Sequence, residues 1–193
     1  MANRYIPGSV MPMTEGRKML AAFRPLLNAT DGLTLGQVCT ITGLEYSTVQ
    51  NWIKRGYVAH PIRKKYHEKH LARILMISAL RDSMKIENIG ELMAMVNGDS
   101  DDESDDIVSE EQMYEYLCRV IDGTDGQLPS AEEVPDLVDK VTEDYDPADD
   151  SAELRVKGAL TVMVHAYIAG IYKQEAEASF QKMRDYLPEL YNG

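Results

Sequence analysis

Thr34-Leu35-Gly36-Gln37-Val38-Cys39-Thr40-Ile41-Thr42-Gly43-Leu44-Glu45-Tyr46-Ser47-Thr48-Val49-Gln50-Asn51-Trp52-Ile53-Lys54-Arg55-Gly56 reads as two short amphipathic helices hinged on a glycine. Leu35, Val38, Cys39 and Ile41 recur at spacings that place them on one face of the first helix, and Leu44, Val49, Trp52 and Ile53 do the same for the second. Gly43 supplies the turn. With its apolar residues turned inward, the second helix offers Ser47, Thr48, Gln50, Asn51, Lys54 and Arg55 to the outside. This polar set is the kind a recognition helix carries into the major groove.

The charge pattern around this pair reinforces that reading. Between Lys54 and Arg73 lie seven Lys/Arg residues against the single acid Glu68, with Tyr66 and three histidines among them. Basic residues clustered beyond a candidate recognition helix are the electrostatic footprint of phosphate binding. The whole chain has 193 residues and a net charge of −12, but the charge is unevenly divided. Residues 1–98 hold 13 Lys/Arg against 7 Asp/Glu, a net +6, and residues 99–193 hold 7 against 25, a net −18. Two parts with different work are expected from so sharp an asymmetry.

The stretch from Thr34 to Val49 resembles the opening of a MerR-type winged helix-turn-helix, and Leu71 to Arg81 followed by Ile86-Glu87-Asn88-Ile89 resembles that fold's third and fourth helices. A closer resemblance, over roughly residues 30–96, is to an uncharacterised bacterial domain family with a MerR-like head. Its features stand here as Asn51-Trp52-Ile53-Lys54, Pro61-Ile62-Arg63-Lys64-Lys65-Tyr66 and His70-Leu71. The resemblance implies a winged helix-turn-helix fold and DNA binding. It implies no catalytic role. The wing here carries Arg63-Lys64-Lys65-Tyr66 where MerR proteins usually have Gly-Tyr-Arg, and Asn97-Gly98 interrupts the place of their long dimerisation helix.

Working outward, Thr14 is placed to cap a helix running to about Leu27, with Pro25 near its end, and residues 57–67 read as a loop or small wing. Apolar helices are expected from Glu68 to about Asp82 and from Ile86 to about Val96. Asp99 to Asp106 (DSDDESDD) reads as a solvated acidic linker, since its charges repel and it has nothing apolar to bury. Ser109 and Gln112 form a capping-box pattern opening the next helix, a shorter helix lies near Pro135 to Val141, and one or two helices fill about Asp150 to Leu187. The predicted organisation is a mainly α chain: a winged helix-turn-helix domain over 1–98 with a small wing, the linker over 99–106, and a helical dimerisation or regulatory region over 107–193.

The functional expectation is a bacterial, cytoplasmic, sequence-specific transcriptional regulator. Ser47, Thr48, Gln50, Asn51, Lys54, Arg55, Arg63, Lys64, Lys65 and Tyr66 form its DNA-binding set. Gln50 and Asn51 are the base readers, because an amide pairs bidentately with adenine, and the Lys and Arg residues bind phosphate. Tyr66 anchors the wing to the core, and Trp52 is core. Double-stranded DNA is the expected partner, with homodimerisation through the C-terminal helices, where Met163, Tyr167, Ile168, Ile171 and Tyr172 offer apolar surface. Effector sensing and competition of the acidic segment with DNA are the other readings of that half. The alternative function is a protein-interaction adaptor that keeps the fold without binding DNA. We expect no enzymatic activity, cofactor, metal or membrane insertion. Nucleophile-elbow, Walker and dinucleotide motifs are missing, the Asp-rich run lacks the glycine of a calcium loop, and no secretory signal opens the chain. Cys39 and Cys118 read as core thiols, His165 as a core histidine, and His67 and His70 as phosphate contacts.

Overall fold

The computed structural model describes residues 5–12, 20–102, 104–123 and 127–186. It is mainly α-helical. A 3-10 turn, Leu20–Ala22, precedes α1 (Arg24–Ala29), α2 (Leu35–Thr42), α3 (Tyr46–Lys54), α4 (Glu68–Leu80), α5 (Ile86–Asn97), α6 (Glu110–Asp122), α7 (Val134–Val141) and α8 (Asp150–Tyr186). The front of the helix expected from Thr14 falls largely outside the described residues. Within them, Pro25 opens α1 rather than ending a helix, at a position where its missing N–H costs nothing.

Local chemistry explains the boundaries. α2 begins with a capping box: Thr34 Oγ1 accepts from Gln37 N, and Gln37 Oε1 accepts from Thr34 N at 2.8 Å. It ends at Gly43, whose φ of 70° is open to glycine at little cost. α6 begins at Ser109, whose hydroxyl accepts from Gln112 N at 3.1 Å. The Gln112 side chain donates to Tyr116 Oη instead of turning back, so only half of the expected box forms. α4 is capped by a histidine: His70 Nδ1 accepts from His67 N at 3.1 Å, and His70 Nε2 donates to the His60 carbonyl. His70 is therefore a buried structural residue and not a phosphate contact, and burial lowers its pKa.

α4 organises the core. Residues 71–77 are buried on every side, and α4 packs against α2, α5, α6 and α8, chiefly α6. A helix apolar all round needs neighbours all round, and these come from both halves of the sequence. The helices beyond residue 106 pack back onto those before 99 in one continuous core. Trp52, Tyr66, Cys39 and Cys118 belong to it, and both cysteines are free thiols. The acidic segment is largely exposed, as its charge dictates, but it is tied down. Asp101 accepts from the His60 backbone N–H at 2.9 Å and from His60 Nδ1 at 3.0 Å, and Ser100 Oγ donates to the Gly56 carbonyl.

α8 is a single helix of 37 residues. By length and composition it could cross a membrane, but Ala152, Val156, Leu160, Met163 and Val164 on its inner face lie in the core. His165 is exposed on the opposite face, contrary to its expected place in the core. Beyond Ile171 every described side chain is exposed, so the last turns project from the body.

One buried ion pair joins the halves. Arg73 Nη1 lies 2.8 Å from Glu110 Oε1, both side chains almost wholly buried, and Arg73 Nε also donates to the Tyr57 carbonyl. Glu110 Oε2 has no partner. Burial, opposed by Arg73, pushes the Glu110 carboxyl up to about 7. A carboxyl held above its unfolded value binds a proton in the folded chain that the unfolded chain has released. Its contribution to stability therefore falls as pH rises from about 4.5 towards 7. The difference in urea midpoint between E110Q and the wild type should move in favour of E110Q across that window. A difference that stays constant with pH contradicts the assignment.

Candidate nucleic-acid interface

α3 turns Val49 and Trp52 into the core and keeps Ser47, Gln50, Asn51 and Lys54 exposed, with Thr48 half-buried at the edge. The turn Gly43-Leu44-Glu45 sets this orientation, because Leu44 is buried and pins α3 to the body. The polar face expected of this helix is thus the face left open.

The strands expected of a wing do not form, and among the described residues there is no strand. Between residues 57 and 67 the chain makes two isolated antiparallel bridges, Leu33↔Tyr66 and Ile62↔Lys65. The second closes a two-residue turn: Ile62 N donates to Lys65 O at 3.1 Å and Lys65 N to Ile62 O at 2.9 Å. Arg63 and Lys64 occupy the tip with φ of 50° and 64°. A turn with both central residues at positive φ favours Asn-Gly, and a side chain held there costs about 1–2 kcal/mol per residue. The ladder stops after one pair because the N–H groups of the next pair are bonded elsewhere, that of His60 to Asp101 Oδ1 and that of His67 to His70 Nδ1.

The basic residues separate into two groups. Among the described residues, the side chains of Lys54, Arg63 and Lys64 make no hydrogen bond or ion pair. Lys65 is engaged, its Nζ donating to the carbonyls of Thr30 at 2.9 Å and Gly32 at 3.3 Å. Arg55 is also engaged, 2.7 Å from Glu87 Oε1 and stacked 4.8 Å over the Tyr57 ring. That bond holds the exposed Glu87 carboxyl below its usual range. Tyr66 is buried, which raises its phenol pKa, so it anchors the turn and presents nothing to a ligand.

Two cations escaped the sequence reading. An open groove runs beside α3, lined by Thr48, Asn51, Arg55, Arg81 and Lys85 among others. Arg81 and Lys85 are exposed and make no side-chain bond among the described residues. They stand far from Asn51 in sequence, and only the packing of the α4–α5 junction beside α3 brings them to the same groove. Among the described residues no group of three or more His, Cys, Asp or Glu side chains is placed to hold a metal ion.

Residues 33–117 match a family described as a domain of unknown function (DUF1836). The chain is also similar to the uncharacterized protein YkrK of Bacillus subtilis (strain 168), with 26% identity over 149 residues. That match covers 72% of this chain, and the chain spans 64% of the relative's length. No solved structure matches. The likeness is to an uncharacterised domain family, and its span takes in α2 to α6 up to Leu117, including the α3 face, the Arg63-Lys64 turn and the Arg73–Glu110 pair.

The strain at the turn is directly measurable. Replacing Arg63-Lys64 with Asn-Gly through R63N/K64G should raise stability by about 1 kcal/mol in urea unfolding, because the backbone there already has the geometry that pair prefers. A loss of stability means the tip is not held at positive φ in solution.

Proposed function

We propose that the chain is a DNA-binding transcriptional regulator whose head is a MerR-like winged helix-turn-helix, with the wing reduced to its tip. The observation that carries this reading is the pair Arg63 and Lys64. Two cations without partners among the described residues are held at backbone positions that favour asparagine and glycine. Strain of this kind is retained where the side chains are used.

In this reading α3 lies in the major groove. Gln50 and Asn51 reach base edges and supply specificity. Ser47 and Thr48 sit in the first turn of α3, near a flanking phosphate. Lys54, Arg63 and Lys64 bind phosphates, joined by Arg81 and Lys85 from the groove beside α3. Phosphate contacts supply affinity and register without reading sequence. Arg55 and Lys65 serve mainly to fix the scaffold, since each is already satisfied within the chain. Tyr66 supports the turn from the core. The same engagement of Arg55 and Lys65 is what favours the second reading, an adaptor that keeps the fold and binds protein instead of DNA. The −18 of the second half does not forbid DNA binding, because charges are screened beyond about 8 Å at physiological salt.

Fluorescence anisotropy with generic duplex DNA across a salt series tests the proposal. Binding should weaken steeply with salt, and R63N/K64G should reduce the log–log slope by about 2, since each lost phosphate contact removes about 0.9. Absence of binding by the folded chain at low salt overturns the reading in favour of the adaptor. With an operator in hand, N51A should cost about 1–3 kcal/mol of discrimination at one base pair.

A further inference from the structure

The residues expected to make a dimer interface do not all remain free for one. Met163 and Ile168 are spent in the chain's own core, and Tyr167 is packed against it. The opposite face of α8 is the one left open. Leu154, Val162, Tyr172, Phe180 and Met183 are 75, 41, 59, 56 and 44% exposed. With Gly158, His165, Ala169 and Ala176, also exposed, they recur every three or four residues from one end of α8 to the other. At 100° per residue all nine fall within an arc of about 80°, and no acidic residue lies inside it. A largely apolar stripe of this length, without Asp, Glu, Lys or Arg, marks an interaction surface.

The free end of α8 points the same way. Lys173 and Gln174 make its last bonds to the body, both to Asp82. Among the described residues, 175–185 bond to nothing outside their own helix. A helical end of this length with Phe180 and Met183 in water gains nothing from packing, and short unpacked helices are marginal.

We propose that the stripe is covered by a second copy of this chain, with the two α8 helices antiparallel about a two-fold axis near residue 167. The stripe is self-complementary in that register. Leu154 meets the partner's Phe180, Gly158 meets the partner's Ala176, Val162 meets the partner's Tyr172, and His165 meets the partner's Ala169. Each layer then pairs one residue from either side of the stripe or two small ones at its centre, as a two-stranded antiparallel coil requires. The flanks also match in charge: Arg155 comes beside the partner's Glu177, and Lys157, which bridges Asp139 and Glu153 of its own chain, comes beside the partner's Glu175. The overlap from residue 154 to 180 is nearly four heptads, about 40 Å, which is long enough for sustained pairing. The projecting end of each helix lies over the packed half of the other, and the two bodies sit on the outer sides of the pair.

This inference does not rest on DNA binding; a dimer that ignores DNA leaves it intact. Sedimentation equilibrium of the full chain should give a dimer at about 20 µM. A169E, exposed in the single chain and so harmless to its fold, should weaken association at least 100-fold with an unchanged circular dichroism spectrum. H165C/A169C should cross-link between copies under mild oxidation, whereas Y172C should not, since the two Tyr172 positions lie far apart in an antiparallel pair. A monomeric wild type, a dimer unaffected by A169E, or efficient cross-linking through Y172C overturns the proposal.

Discussion

Everything in this fold depends on the burial of α4. Its residues 71–77 have no solvent-facing side, so the chain must wrap it completely. Four helices do so, two from before the acidic segment and two from after it. The arginine within that run, Arg73, can be tolerated only with its N–H groups bonded, because an unpartnered buried charge costs several kcal/mol. Glu110 Oε1, from the start of α6, and the Tyr57 carbonyl accept from it. The basic head is therefore held by the acidic half, and α3 is oriented by a core to which both contribute.

Rigidity on one side sets what is free on the other. With Val49, Trp52 and Leu44 buried, α3 has one orientation, and its polar face is fixed as the outer face. With Tyr66 paired to Leu33 and Lys65 tied to the Thr30 and Gly32 carbonyls, the turn at Arg63-Lys64 is braced at its base and open only at its tip. A proposed interface built on such supports loses little side-chain freedom beyond the tip cations when it meets a ligand. The N-terminal segment adds to the bracing, since Val10 N donates to Ile41 O and Tyr114 Oη donates to Pro7 O.

Several helices were legible because they carry a local signal: glycine at the end of α2, apolar spacing through α4 and α5, a serine cap at α6. α1 was not, since Pro25 opens it where the end of a helix was expected. What the sequence did not reveal was tertiary. The wing strands failed to form because the N–H of His60 bonds Asp101, 41 positions later, and that of His67 bonds the His70 ring, and local pattern does not specify such partners. His70 reads as a surface cation and is a buried cap, since His60 reaches it from ten residues away. On α8 the sequence carries two apolar stripes, and periodicity alone does not say which one faces the body. For the candidate site, the exposed α3 residues and the tip were readable from patterning. The engagement of Arg55 by Glu87 and the arrival of Arg81 and Lys85 beside α3 were not.

The central proposal is that one surface, made by α3, the Arg63-Lys64 tip and the α4–α5 junction, meets DNA. Hydrogen–deuterium exchange of the full chain with and without duplex DNA at low salt tests it most directly. New protection should be confined to α3, residues 62–65 and the first turn of α5, with α7 and the outer half of α8 unchanged. Protection that appears only in the acidic helices, or none at all while DNA is bound, would contradict it.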